Sequence, residues 1–145
     1  MKSCKLLVCL AVIGVVLVPR PVYGLTDGNS DHLVPADQSM RCPQWEGAFR
    51  RYGLKPVTVF SYIAWRESRC RIRAINGRWD KWGNLVWTLN ANRSVDRGVL
   101  QVNSSWRTVT KRICGGNLDL LLTLDCNLRV SKYLLDNGGL AHWGM

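Results

Sequence analysis

The sequence predicts a mainly helical α+β domain, with a small β-hairpin or sheet inserted between its second and third helices. Two features carry that expectation. Apolar residues recur at three- and four-residue steps around Trp45, Phe60 and Leu128, which is the period of a helix with one buried face. From Ala74 to Asn92 that period gives way to Asn76-Gly77, then Trp79, then Trp82-Gly83-Asn84, then Leu85-Val86-Trp87-Thr88-Leu89. A turn dipeptide beside a β-branched and aromatic run marks a hairpin.

The elements follow in order. Pro43 suits the first position of a helix, because its φ is already helical and its missing N–H would have no partner there. Trp45, Ala48, Phe49 and Tyr52 keep helical spacing until Gly53 stops it. A second helix is predicted from about Val57 to Ser68, with Val59, Phe60, Ile63 and Ala64 on its apolar face. Val99 to Trp106 starts another structured piece. A long helix is then predicted from about Leu118 to Leu135, where Leu121, Leu124, Leu128 and Leu135 share a face and Gly138 ends it. No internal repeat interrupts this order.

Ahead of the domain, residues 1–24 read as a secretory signal peptide. Met1 to Lys5 is basic, Leu6 to Val18 is apolar, Pro19 to Pro21 break the run, and Gly24 offers a cleavage point. The apolar run is too short for a membrane span, which takes about 20 residues, so no stable membrane insertion is expected after cleavage. Residues 25–41 read as a flexible polar segment, and folded structure is predicted from Cys42 onward, over residues 42–145.

Loss of Lys2, Lys5 and Arg20 with the signal lowers Lys plus Arg from 20 to 17, against 10 Asp plus Glu. An exported protein with that excess meets anionic polymers readily, bacterial cell wall and nucleic acid among them. Cys42, Cys70, Cys114 and Cys126 remain, and an even number in a small exported domain reads as two disulfides. Of the three connectivities, Cys42–Cys70 and Cys114–Cys126 is favoured, because each pair falls at the ends of neighbouring predicted helices. The cysteines lack the close pairs of a zinc site, and no other metal or cofactor is expected.

Beyond the signal peptide the chain holds only two glutamates, Glu46 and Glu67. Glu46 sits between Trp45 and Gly47 as a solvated surface residue. Glu67 lies one turn after Ile63 and two after Phe60, so it shares the apolar face of the second helix near its end. A glycosidase keeps its general acid in such half-desolvated surroundings, so that a proton is still present near neutral pH. The structural alternative is an ion pair. Arg66 and Arg69 point elsewhere at helical spacing, whereas Arg71 could reach Glu67 if the helix continued.

The run Ala64-Trp65-Arg66-Glu67-Ser68, followed by Ala74-Ile75-Asn76, resembles the signature of lytic transglycosylases and lysozymes. The stretch Ser94-Val95-Asp96-Arg97-Gly98-Val99-Leu100-Gln101-Val102-Asn103-Ser104 is similar to the segment that follows it in animal-type lysozymes. Cys126-Asn127-Leu128 through Tyr133-Leu134, then Asn137-Gly138-Gly139, resembles the later core helix of the same superfamily. The resemblance spans roughly Cys42 to Trp143. It implies a lysozyme-like fold and a secreted, monomeric enzyme that cuts the β-1,4 bond between N-acetylmuramic acid and N-acetylglucosamine in peptidoglycan. It also implies Glu67 as the acid, Asp96 as the second carboxylate, and Ser68, Gln101 and Asn103 beside the substrate. Two departures stand out: a tryptophan-rich insertion lies between Glu67 and Asp96, and there are too few cysteines for a four-disulfide framework. Asp96 is therefore read equally as catalytic or as a turn-holding residue.

Indoles stack on the apolar faces of sugars, so Trp79, Trp82 and Trp87 in the insertion are expected to contribute to the sugar site. Asp96 leans toward hydrolysis and the long insertion toward the transglycosylase reaction. A non-catalytic glycan-binding module with the same fold is the alternative, and the presence of Glu67 argues against it. Nucleic acid is not an expected partner, because no strand motif interleaves aromatic with basic residues.

Overall fold

The computed structural model describes residues 33–145. The predicted signal peptide and the first part of the polar segment lie outside them. Periodic apolar residues form helices where expected: α1 spans Pro43–Arg51 and α2 spans Val57–Ser68. Between α2 and the next helix come two small antiparallel sheets. The first pairs β1 (Gly77–Trp79) with β2 (Leu85–Trp87), and the second pairs β3 (Asp96–Arg97) with β4 (Val102–Asn103). Helices α3 (Arg107–Cys114) and α4 (Leu124–Gly138) complete an α+β domain.

Four features depart from the sequence expectation. The hairpin turns at Asp80–Asn84 rather than at Asn76-Gly77. The Asp80 carboxylate accepts the backbone N–H groups of Trp82 at 2.9 Å and Asn84 at 2.8 Å, while Gly83 takes φ 82°. These bonds hold the Asp80 carboxyl below its ordinary range. Second, the predicted helix over Leu118–Leu135 is two pieces. A 3-10 turn at Leu118–Leu122 ends at Thr123, whose extended backbone and hydroxyl cap α4. Third, α3 lies outside the sequence expectation: in Arg-Thr-Val-Thr-Lys-Arg-Ile-Cys only Thr110 is fully buried, and Val109 and Ile113, four residues apart, are partly buried against the core. Fourth, residues 33–41, the described part of the segment read as flexible, belong to the fold, since Val34 packs into the core and Gln38–Met40 forms a 3-10 turn capped by Asp37.

The core lies between α1, α2 and α4, with Phe49, Leu54, Phe60, Ile63, Leu121 and Leu128 wholly buried. Disulfide Cys42–Cys70 joins the start of α1 to the end of α2, and Cys114–Cys126 joins the end of α3 to the first turn of α4. Their Cα atoms stand 5.5 and 5.7 Å apart. Two cross-links fit an oxidising compartment. Among the described residues no helix is long and apolar enough to cross a membrane.

One buried polar side chain connects the sheet that carries the sequence motif to α4. Asn127, fully buried, accepts the N–H of Leu100 at 3.0 Å and donates to the carbonyls of Arg97 at 2.9 Å and Leu121 at 3.0 Å. Asn127→Ala leaves one buried donor and two buried acceptors unpaired. It should therefore lower stability by about 2–4 kcal/mol, read from the urea midpoint. Under denaturing, non-reducing conditions the four cysteines of the domain should show no reactive thiol. Reduction should cost roughly 3–4 kcal/mol for the cross-link spanning 28 residues and roughly 3 kcal/mol for the one spanning 12. Both losses would appear as a fall in Tm.

Candidate functional site

Glu67 stands in the last turn of α2, which ends abruptly. Arg69 and Cys70 take φ of 53° and 65°, left-handed values that favour glycine, and their N–H groups close the helix on Trp65 and Ala64. The disulfide to Cys42 and a bond from the Trp45 indole to the Cys70 carbonyl, 2.8 Å, hold that geometry. Arg71 consequently does not run on along the helix toward Glu67. Its Nε donates instead to the Ser68 carbonyl at 3.0 Å, and Arg69 stacks on Trp65 at 3.9 Å.

The partner of Glu67 is Arg66, against the expectation that it points away. Its Nε and Nη2 donate to Oε1 at 3.0 and 2.7 Å. The same guanidinium reaches the Trp143 carbonyl and the Met145 sulfur, which draws it across the end of the helix. Oε2 of Glu67 has no hydrogen bond among the described residues, and the side chain is 29% exposed. Both facts leave one carboxylate oxygen free for a ligand.

Asp96, on β3, is set opposite Asn103 on β4. Its Oδ1 accepts from the Asn103 amide at 2.7 Å and its Oδ2 from the Asn90 amide at 2.9 Å. Both amides also donate to Ser94 Oγ, so a four-residue polar cluster fixes the carboxylate through side-chain amides rather than backbone N–H groups. The Asn103 carbonyl oxygen is committed to the N–H of Ser105. Gln101, with φ 47°, sits in the turn between the strands and donates to the carbonyls of Gly98 and Ala74 at 2.8 and 3.3 Å.

These side chains meet in one cleft of about 320 Å³. Glu67 comes from α2, and Asp96, Gln101, Val102 and Asn103 come from β3, β4 and their turn. Trp106, Leu134, His142, Trp143 and Gly144 complete the lining. Trp143 packs edge-on against Phe60 at 5.3 Å and donates its indole N–H to Leu100 at 3.0 Å, while His142 packs edge-on against Trp106 at 5.4 Å.

The structure thus brings Glu67, Asp96, Gln101 and Asn103 together, but not Ser68 or the insertion tryptophans. Ser68 is buried, with its hydroxyl bonded back to the Ala64 carbonyl at 2.8 Å. Trp79 and Trp82 are 66% and 75% exposed on a hairpin whose strands pair only with each other. Trp87 stacks under Arg97 at 4.4 Å. The indoles of the cleft are Trp106 and Trp143, which, with His142, sequence reasoning did not single out. Trp106 closes the Asn103-Ser104-Ser105 run and could have been found from that adjacency. His142 and Trp143 lie in a 3-10 turn after α4 that has no periodic signal.

Among the described residues no group of three or more His, Cys, Asp or Glu could hold a metal ion. No protein-family model matches this chain, and no curated protein is similar to it.

The amide cluster sets an expectation for Asp96→Asn. The new NH₂ must face the NH₂ of Asn90 or of Asn103, so one bond becomes a donor–donor contact. Stability should fall by about 1–3 kcal/mol, measured by thermal or urea unfolding.

Proposed function

We propose that this protein is a lysozyme-like glycosidase that cleaves the glycan strands of peptidoglycan between N-acetylmuramic acid and N-acetylglucosamine, with Glu67 as general acid. The observation that carries this reading is the shared cleft: two carboxylates distant in sequence line one groove with amide groups and two indoles. Indole faces suit the apolar faces of pyranose rings, and Gln101 Oε1, which accepts no hydrogen bond among the described residues, suits a sugar hydroxyl or N-acetyl N–H.

The chemistry follows from the atoms left free. A proton on Glu67 Oε2 passes to the glycosidic oxygen as the bond to the anomeric carbon breaks, leaving an oxocarbenium-like centre. Arg66, bonded to Oε1, then balances the carboxylate that has lost its proton. Asp96 offers negative charge to the cation from an orientation fixed by Asn90 and Asn103. With each of its oxygens engaged by an amide, we assign it electrostatic support rather than nucleophilic attack. Water, or the 6-hydroxyl of the muramic acid itself, adds to the anomeric carbon and returns a proton to Glu67. The first route gives a reducing end and the second a 1,6-anhydro end one water lighter. The exposed Trp79 and Trp82 are available to the polymer outside the cleft.

Glu67→Gln keeps the size of the side chain but cannot donate this proton. It should reduce glycan cleavage by about 10²–10⁴-fold while leaving unfolding and glycan binding close to the parent. Clearing of a peptidoglycan suspension and the masses of the released muropeptides read the outcome. Undiminished clearing by the variant would remove Glu67 from its role.

A further inference from the structure

Successive residues of a strand face opposite ways, and β3 has only two. Asp96 lines the cleft. Arg97 lines a separate pocket of about 570 Å³ together with Arg107, Lys111, Asn117 and Asp119. Arg107 and Lys111 are four residues apart on α3 and so lie on one helix face.

Arg97 is the unusual member. The residue is only 9% exposed, its guanidinium stacks on Trp87, and its Nε and Nη1 are buried without a hydrogen-bond partner among the described residues. The nearest carboxylate, Asp119 Oδ1, stands 3.7 Å from Nε, beyond hydrogen-bond distance, on a side chain that is 71% exposed. Burial holds Arg97 below the usual arginine range, Arg107 adds to that effect, and Asp119 and Asp96 oppose it. A guanidinium stays charged in a protein, and a buried charge is ordinarily matched by acceptors that satisfy its N–H groups. Here the protein supplies three cations and one carboxylate, a local excess of two positive charges.

We propose that this pocket is a binding site for a phosphate group, with Arg97 as its anchor and Arg107 and Lys111 as its flanking charges. A doubly charged oxyanion matches the excess of two, and its oxygens match the forked donors of an arginine. A singly charged carboxylate matches neither as well. The site lies on the opposite side of β3 from the cleft, so it does not depend on the glycosidase reading.

The probe is inorganic phosphate, titrated into the protein by calorimetry and by thermal shift, with chloride at matched ionic strength as the control. Phosphate should bind saturably and raise Tm, and acetate should bind at least tenfold more weakly. Arg107→Ala with Lys111→Ala removes two exposed charges that serve no core packing. That variant should keep the parent Tm in chloride and lose phosphate affinity by tenfold or more. Arg97→Met should abolish phosphate binding, and its Tm in chloride should be no lower than the parent's, because a buried unmatched charge has been replaced by an apolar chain. If Arg97→Met does not fold, the double variant alone decides. Phosphate indistinguishable from chloride, acetate as tight as phosphate, or undiminished binding by the double variant would each overturn the site. Methyl phosphate and dimethyl phosphate, run beside it, distinguish a monoester from a diester source.

Discussion

The amide of Asn127 is the point on which the cleft depends. Its three hydrogen bonds reach β3, the turn after it and the 3-10 turn before α4, so one side chain sets the distance between the sheet and the helical core. The same packing dictates a glycine. A Cβ at Gly98 would lie 2.1 Å from the Asn127 amide nitrogen and 2.2 Å from the Leu121 carbonyl, and the residue's φ of 82° suits glycine in any case. Because the turn is pressed this closely onto α4, Leu100 can also take the Trp143 indole N–H from the far side. Asp96, Gln101 and Asn103 stand at the rim of a turn held from two directions.

Glu67 is placed by a different device. A helix that ran on past Ser68 would have carried Arg71 toward Glu67. Closure by two left-handed non-glycine residues costs roughly 1 kcal/mol or more at each, and the Cys42–Cys70 cross-link is in position to offset it. What results is a carboxylate at a helix terminus, half-exposed, with a rigid backbone beneath it.

Much of this was legible in the chain. Helices α1 and α2 could be read because their apolar residues repeat with the helical period and because Pro43 and Gly53 mark the ends of α1. The grouping of Glu67 with Asp96, Gln101 and Asn103 was legible through motif order alone; no periodicity or spacing shows that residues from α2 and from a later turn will meet. What stayed hidden has physical reasons. Helix α3 is only eight residues long, and its apolar side is Val109, Ile113 and the disulfide-bonded Cys114 at the core's edge, too short a run for the helical period to stand out. The break at Thr123 is a capping choice made by one hydroxyl within an otherwise helical leucine pattern. The tryptophans of the insertion looked like groove residues, but Trp79 and Trp82 are exposed outside the cleft and Trp87 is covered by Arg97.

Arg66 shows how such hidden contacts complete the site. Adjacent residues on a helix do not normally face each other, and from spacing alone Arg66 and Glu67 diverge. They meet because the Trp143 carbonyl and the Met145 sulfur, both beyond the last helix, draw the guanidinium over the end of α2. Tyr62 lies beneath it at 5.9 Å. The ion pair therefore ties Glu67 to the turn that carries His142 and Trp143, so that the carboxylate and the aromatic wall of the cleft are positioned as one unit. Movement of that turn would displace the charge beside Glu67 and the Trp143 indole that lines the same cleft together, which couples the shape of the groove to the electrostatics of the Glu67 carboxylate.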